Sequence, residues 1–489
     1  MPLTSTDFTG HSSVRHALDQ MRSYLAKQPD WTVSDIVDSP TDGQPPHQYV
    51  DLVMEGGGML GIALVGCVYA LEQAGIRFLR LGGTSAGSIN ALLMAAAGPR
   101  QEASTTWIIE QLANKNFYDF VDGDADAKAF TNDLLQPTDS QQHGIGTWLH
   151  GLRGKAKMFR DALQVVDNMR DDKGLHHGDA FRQWLQMLLN QKGINSISKL
   201  VALRRQLPPQ GLLRRPDPLY GRPEAAAYNP DDLGRIAIVA ADITTQTKVI
   251  FPEMAPLYWR EWKTVHPADM VRASMSVPLF FEPYTLSSLP GGGSSDSSNP
   301  YVAAWNALGY TGEIPESVLF VDGGIMSNFP IDLFHDNTQV PAAPTFGIKL
   351  GVDRAAKRNT DSLPKYLGAI FDAARTQYDF DFIHRNSDYR HLVHCLNVDG
   401  FNWLDFRMPD TEKLELFAVG VRGAVEFLLN FDWKGYKKLR AAKVEVVHQA
   451  QVLDAEKARL KETPVVELEW PGGMKPGYMK AETAMLAHG

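Results

Sequence analysis

Residues Tyr49 to Gly98, YVDLVMEGGGMLGIALVGCVYALEQAGIRFLRLGGTSAGSINALLMAAAG, decide how this chain is read. Tyr49 to Met54 is an apolar, β-prone run, and Gly56, Gly57 and Gly58 after it let the backbone turn tightly with its N–H groups exposed. From about Gly61 to Ala74 the spacing predicts a helix that is apolar on nearly every face (Ile62, Leu64, Val65, Val68, Leu71), hence buried, and ended at Gly75. A second strand, Phe78 to Leu81, runs into Gly83-Thr84-Ser85-Ala86-Gly87, and another apolar helix begins at once.

That turn has the Gly-x-Ser-x-Gly pattern of a nucleophile elbow, in which a serine on a strained strand-to-helix turn lifts its hydroxyl above the sheet edge. The pattern needs its glycines, because a side chain at Gly83 or Gly87 would meet the neighbouring strand or helix. The helix after Ser85 aims its positive end at a developing alkoxide. The plainer alternative is a Gly/Ser-rich turn opening an ordinary helix. The strand before and the helix after favour the nucleophile.

The glycine loop has two readings as well. Gly56 to Gly61 satisfies Gly-x-Gly-x-x-Gly, the dinucleotide fingerprint, and lies between strand and helix as that motif requires. The fingerprint also needs an acidic residue about twenty positions on, for the ribose, and here stand Leu81, Gly82, Gly83 and Thr84. The backbone donors of Gly56, Gly57, Gly58, Met59 and Gly61 are therefore read as a cradle for an oxyanion.

Further along, Arg235 to Ala240 reads as a buried strand and Lys248 to Phe251 as another. Met270 to Tyr284 reads as a short helix stopping before Pro278, then an aromatic pocket wall. Ser317 to Val321 (SVLFV) reads as a further strand of parallel type, ending at Asp322-Gly323-Gly324. In an open α/β sheet the crevice lies outside the carboxyl ends of the strands, where Ser85 and Asp322 would both project. A carboxylate there can accept the serine proton. The alternative for Asp322 is an Asx-turn or cap at a strand end.

Length and composition fit this scheme. The chain has 489 residues, 44% of them hydrophobic, enough for one large α/β domain with appendages. A net charge of −9 argues against nucleic acid as a partner. Cys67 and Cys395 lie too far apart in sequence to suggest a disulfide framework. No basic-then-apolar leader opens the sequence and no apolar run spans a bilayer, so the default expectation is cytoplasmic, with export by a signal-peptide-independent route left open.

Other segments are read more plainly. Ser13 to Gln28 is an amphipathic helix and Ser39 to Gln48 a linker. Gln136 to Gly154 reads as loop and Met158 to Met169 as helix. His176 and His177 lack further ligands at a fixed spacing and read as loop residues, with Asp179 as a helix cap. Leu203 to Pro223 sets arginine pairs among leucines, a solvated loop or a lipid-interface segment. Ser287 to Pro300 (SSLPGGGSSDSSNP) is expected to be a mobile loop over or beside the site. Helices are expected over Leu363 to Phe382, Thr411 to Phe431 and Tyr436 to Lys461, with an irregular tail from Thr463.

The glycine loop, the Ser85 elbow and the Asp322-Gly323-Gly324 ending, with Ala273-Ser274-Met275-Ser276-Val277-Pro278 and Asn328-Phe329-Pro330, resemble the patatin-like phospholipases from about Tyr49 to Leu350. The resemblance implies an α/β fold of three layers, a mainly parallel central sheet with helices on both faces, plus helical N- and C-terminal extensions. The corresponding division is 1–48 as arm and linker, 49–350 as catalytic domain with insertions near 101–175, 203–232 and 285–316, 351–435 as its helical continuation, and 436–489 as charged helix and tail. It implies a lipid acyl hydrolase, of phospholipase A or lysophospholipase type, working through a Ser85/Asp322 dyad with no catalytic histidine, cofactor or metal, on phospholipid or other acyl esters at membrane surfaces. Leu60 stands where that family carries Arg or Lys, which removes a positive charge near the oxyanion and leaves the backbone donors. Two alternatives stay open: a histidine-assisted serine esterase, with His335 or His384 downstream, and a lipid-binding or scaffold protein of weak activity.

Overall fold

The computed structural model describes residues 3–39, 45–123, 173–351, 373 and 382–461. Eleven strands form one sheet: β1 (Ile36–Asp38), β2 (Gln48–Met54), β3 (Ile76–Thr84), β5 (Leu212–Arg214), β6 (Ala226–Ala227), β7 (Ile236–Asp242), β8 (Thr247–Phe251), β10 (Tyr284–Ser287), β11 (Ser317–Asp322), β12 (Thr345–Leu350) and β13 (Val393–Leu396). The pair β4 (Gly174–His176) and β9 (Leu279–Phe281) stands apart. The heart of the sheet is parallel, in the order β13-β12-β2-β3-β7. Its strands β2 and β7 are buried along their whole length, as continuous apolar runs covered on both faces must be.

The outer strands are antiparallel, and among them is β11, the strand expected to be parallel. Phe320, Val321 and Asp322 pair with Asp242, Ala241 and Ala240 of β7 in antiparallel register. An apolar run such as SVLFV states burial and not direction. Direction here follows from β10, which precedes β11 and pairs with it as an antiparallel neighbour.

This reversal has a geometric result. On β7, β8 pairs over Ile238–Asp242, so β3 (at Ile236–Val239) and β11 (at Ala240–Asp242) must share the opposite edge. Thr84, the last residue of β3, sits opposite Val239, and Asp322, the last of β11, sits opposite Ala240. The carboxyl ends of the two strands therefore meet head to head along one edge of β7.

Helices cover both faces. After α1 (Ser5–Thr9) and α2 (Ser12–Ala26), α3 (Gly61–Gln73), α4 (Ala86–Ala97) and α5 (Thr105–Ala113) build the larger core with the helix Asp410–Asn430. Its residues Leu416, Phe417, Val421, Ala424, Val425 and Leu428 are buried. Gly66 of α3 and Gly420 of that helix allow a close crossing, since a Cβ at Gly66 would meet the Phe417 carbonyl and one at Gly420 the Ala63 carbonyl. On the other face Phe329, Ile331, Leu333 and Phe334 pack with Tyr389, Leu392, Trp433 and Tyr436. No helix among the described residues is long and apolar enough to cross a membrane.

Several local expectations are corrected. The insert Ser287 to Pro300 is not a loose loop over the site: Leu289 is buried, Gly293 N donates to Ile314 O (2.8 Å) and Ser288 N to Glu316 O (2.8 Å), which fastens it beside the start of β11, the end away from Asp322. Gly178, left-handed at φ 74°, takes the cap position assigned to Asp179, and the Asp122 carboxylate accepts from Gly178 N and Ala180 N, both at 3.0 Å. In Leu203 to Pro223 three arginines bond inward, Arg204 to Phe78 O and Leu79 O, Arg215 to Thr32 Oγ1 and Arg222 to Val340 O, while Arg205 and Leu219 are exposed. The segments Gln136–Gly154, Met158–Met169 and the tail from Thr463 lie outside the described residues, as does nearly all of Leu363–Phe382.

Candidate active site

Ser85 has φ 50° and ψ −118°, a backbone conformation that side chains rarely adopt, at the junction of β3 and α4. Such strain persists only when its surroundings hold it. Gly83 and Gly87 are forced by the same turn: a Cβ at Gly83 would stand 2.5 Å from the Gly87 carbonyl carbon, and one at Gly87 would run into Met54 O. Ser85 N donates to Ser274 Oγ (3.0 Å), whose own hydroxyl donates to Val239 O (2.6 Å). Ser85 O accepts from Ser88 Oγ (2.6 Å) and Ile89 N (3.0 Å). With these ties the side chain is 6% exposed.

Asp322 is 2% exposed. Its Oδ1 accepts from Gly324 N at 2.8 Å, so the strand-end cap weighed for it is present, and its N donates to Ser276 O at 2.8 Å. Ser274 and Ser276, two positions apart, thus steady Ser85 and Asp322 respectively. The chain then crosses the end of β7 toward β3: a Cβ at Gly323 would meet Val239 O and, at 3.0 Å, Thr84 Cγ2, and Thr84 Oγ1 donates to Ser327 O at 2.8 Å.

Asn328 joins this turn to the glycine loop. Its O accepts from Gly56 N (3.0 Å), and its Nδ2 donates to Gly56 O (3.3 Å) and Glu55 Oε1 (3.0 Å). Glu55 is buried and paired with Lys349 at 3.1 Å. A Cβ at Gly56 would lie 2.5 Å from Asn328 Oδ1 and 3.1 Å from Ser85 Cβ, so only glycine lets the loop approach the serine.

The structure separates the five loop amides. Gly56 N is taken by Asn328 O, Met59 N by Trp403 O (2.8 Å), and Gly61 N by carbonyls of its own turn. Gly57 N and Gly58 N have no acceptor among the described residues. They open the short turn Gly58–Leu60, where helical geometry supplies no partner for the first N–H groups. Leu60 is buried and its N donates to Gly57 O at 3.0 Å.

Ser85, Gly58 and Met59 border a partly open cavity. Its wall is almost wholly apolar: Ile62 and Val65 of α3, Ile89 and Leu93 of α4, Ile108 and Leu112 of α5, then Phe120, Phe181, Trp184, Phe281, Trp403 and Phe406. A concave apolar space with a few polar groups at one end is the usual form of a small-ligand site. Phe281 was expected in a pocket wall. Trp403 and Phe406 were not, although Phe-Asn-Trp-Leu-Asp-Phe at 401–406 is an aromatic cluster visible in the sequence.

Among the described residues no histidine borders this cavity. His335 bonds Tyr389 on the other face, where burial and then the Arg440 charge lower its pKa to about 4. Neither His335 nor His384 borders the Ser85 cavity. His176 is fully buried, its Nδ1 accepting from Gly123 N at 2.9 Å, and His177 pairs with Glu282 at 2.5 Å. No group of three potential metal ligands occurs among the described residues.

Residues 52–335 match the model of a family described as patatin-like phospholipase. A Bacillus subtilis (strain 168) protein, uncharacterized protein YqhO, is 26% identical over 382 residues, 78% of this chain and 98% of that one. Among solved structures, VipD from Legionella pneumophila is similar with a TM-score of 0.36 and 14% identity, over 82% of this chain and 70% of its own. The ExoU-SpcU complex from the type III secretion system of Pseudomonas aeruginosa gives 0.31 and 15%, and the match spans 85% of this chain and 61% of that chain. The family match takes in more than half of the sequence and both motif-bearing strand ends, and the chain belongs to the patatin-like phospholipases, a family of lipid hydrolases.

Proposed function

We propose that this protein cleaves fatty-acyl esters of lipids, in the manner of a phospholipase A or lysophospholipase, through an acyl-enzyme on Ser85. The observation that carries the reading is the head-to-head meeting of β3 and β11 on one edge of β7, beside two unpaired loop amides. Ser85 Oγ attacks the ester carbonyl and Asp322 takes its proton. The carbonyl oxygen becomes an anion that accepts from Gly57 N and Gly58 N, donors already oriented in a water-poor site. The C–O bond to the alcohol or lysolipid breaks, and the leaving oxygen takes the proton from Asp322. Water then attacks the acyl carbon, gives a proton to Asp322 and releases the fatty acid; Ser85 recovers its proton.

The apolar cavity favours an acyl chain over a polar substrate, since each buried CH₂ gains about 0.8 kcal/mol. Such a substrate comes from a membrane surface, so peripheral contact with lipid is part of the proposal. The experiment is hydrolysis of a chromogenic fatty-acyl ester by purified protein. Ser85→Ala and Asp322→Asn should each lower the rate by ~10³-fold or more with unchanged circular dichroism. Full activity in Asp322→Asn would remove the dyad.

A further inference from the structure

A second cleft lies at the amino end of the parallel strands, opposite the end that carries Ser85. Thr345, the first residue of β12, is on its wall, and none of its wall residues borders the Ser85 cavity. It has about 380 Å³ of room, where a single water needs about 10–15 Å³. Asp232 and Asp336 of the wall are exposed, so solvent reaches it.

Four arginines, Arg80, Arg214, Arg222 and Arg440, line the cleft with those two aspartates, and the charges do not cancel. Arg80 is held by Asp51 (2.5 Å) and Asp232 (2.6 Å), and Arg440 by Asp388 (3.3 Å) and the Asp336 carbonyl. The Asp336 carboxylate is already occupied, accepting from Thr338 N (2.8 Å), Thr338 Oγ1 (2.5 Å) and Gln339 Nε2 (2.7 Å). Arg214 and Arg222, on the hairpin between β5 and β6, pair with no carboxylate among the described residues. Arg222 Nη2 donates to Val340 O. The Arg214 side chain makes no hydrogen bond among the described residues; its Nε is buried, whereas Nη1 and Nη2 are open to solvent. Two neutral rings complete this part of the wall. Burial, and then the Asp51 charge, raise Tyr228 to about 12, and burial, and then the Arg440 charge, lower His335 to about 4.

We propose that this cleft binds a small phosphomonoester, with its phosphate on Arg214 and Arg222 and its polar body along Tyr228 and Tyr436. Two unmatched guanidinium groups complement a dianion, and their N–H groups fit phosphate oxygens in charge and direction. The room exceeds that of a bare phosphate, and polar and aromatic side chains line the remainder. Tyr436 and Arg440 belong to the helix Trp433–Lys461, so the ligand joins that helix to the hairpin after β5. The proposal is independent of the hydrolytic reading.

The test is isothermal titration of the full chain with glucose 6-phosphate and with adenosine 5′-monophosphate at about pH 8, where both esters are dianions. At least one should give a saturating isotherm, and glucose and adenosine should give none. Arg214→Gln should weaken binding about tenfold or more, as loss of a charged hydrogen bond does. Its Tm without ligand should match wild type, because the side chain it replaces bonds nothing; Arg222→Gln should weaken binding likewise. Ser85→Ala should bind as wild type does, since the catalytic cavity is elsewhere. Inorganic phosphate bound as tightly as the esters would overturn the assignment to an ester. Saturation by neither ester, or wild-type affinity in Arg214→Gln and Arg222→Gln, would overturn the site.

Discussion

Ser85 bears a sharp constraint, a side-chain residue held at φ 50° and ψ −118° where glycine would rest without strain. Releasing such a conformation is worth ~1–3 kcal/mol. Ser85→Gly should therefore abolish ester hydrolysis while raising the Tm, and a Tm below wild type would mean that the hydroxyl contributes more to folding than the strain costs. Asn328 makes a second prediction. Its side-chain Nδ2 donates to Gly56 O and to Glu55 Oε1, so Asn328→Ala should lower kcat by about 10²-fold, the scale expected when reacting groups shift by an ångström, with KM and Tm changed far less. A KM effect alone would refute a positioning role. Ser85 and Asp322 were legible in the sequence because each sits in a short motif at a strand end. The sorting of the loop amides was not, because the carbonyls that occupy Gly56 N and Met59 N come from Asn328 and Trp403, hundreds of residues away.

At the scale of elements, α3 and the helix Asp410–Asn430 cross at Gly66 and Gly420, where backbone meets backbone. Overpacking of this kind costs ~1–3 kcal/mol. Gly420→Ala should lower the Tm measurably, and an unchanged Tm would show that the two helices separate without penalty. Because α3 begins at the glycine loop, the same variant should also reduce hydrolysis. The apolar helices and the buried parallel strands could be read from hydrophobic runs. The direction of β11 could not, since antiparallel and parallel buried strands share one composition, and the Gly/Ser-rich insert after Ser287 looked loose because its ties to Ile314 and Glu316 are backbone bonds that leave no mark in side chains.

Across the whole molecule, the C-terminal helix Trp433–Lys461 is anchored to the N-terminal part of the fold. Trp433 Nε1 donates to Asp35 Oδ1 (2.8 Å), and Lys437 Nζ lies 3.0 Å from Asp35 and 2.5 Å from Asp217, all three largely buried. Lys437→Met would leave two buried carboxylates without their cation and should cost ~3–5 kcal/mol by chemical denaturation. No motif announced this anchor, since its partners are far apart in the chain. Acid stability is a property of the same scale. His335, at about 4, and His266 and His394, both lowered by burial, bind protons more weakly folded than unfolded, where histidine titrates near 6.5. Between those values the unfolded chain holds more protons, so this contribution is fully present above pH 6.5 and is lost as pH falls toward 4. His335→Gln should flatten the decline of Tm over that window; an unchanged slope would show that His335 does not contribute.

Labelling by a fluorophosphonate reaches the central claim without any choice of lipid, because the reagent reports an activated serine whatever the natural ester is. Intact-mass and peptide analysis of the wild-type chain should find one adduct, on Ser85, absent in Ser85→Ala and formed far more slowly in Asp322→Asn. An adduct at another residue, or equal labelling rates in wild type and Asp322→Asn, would contradict the account.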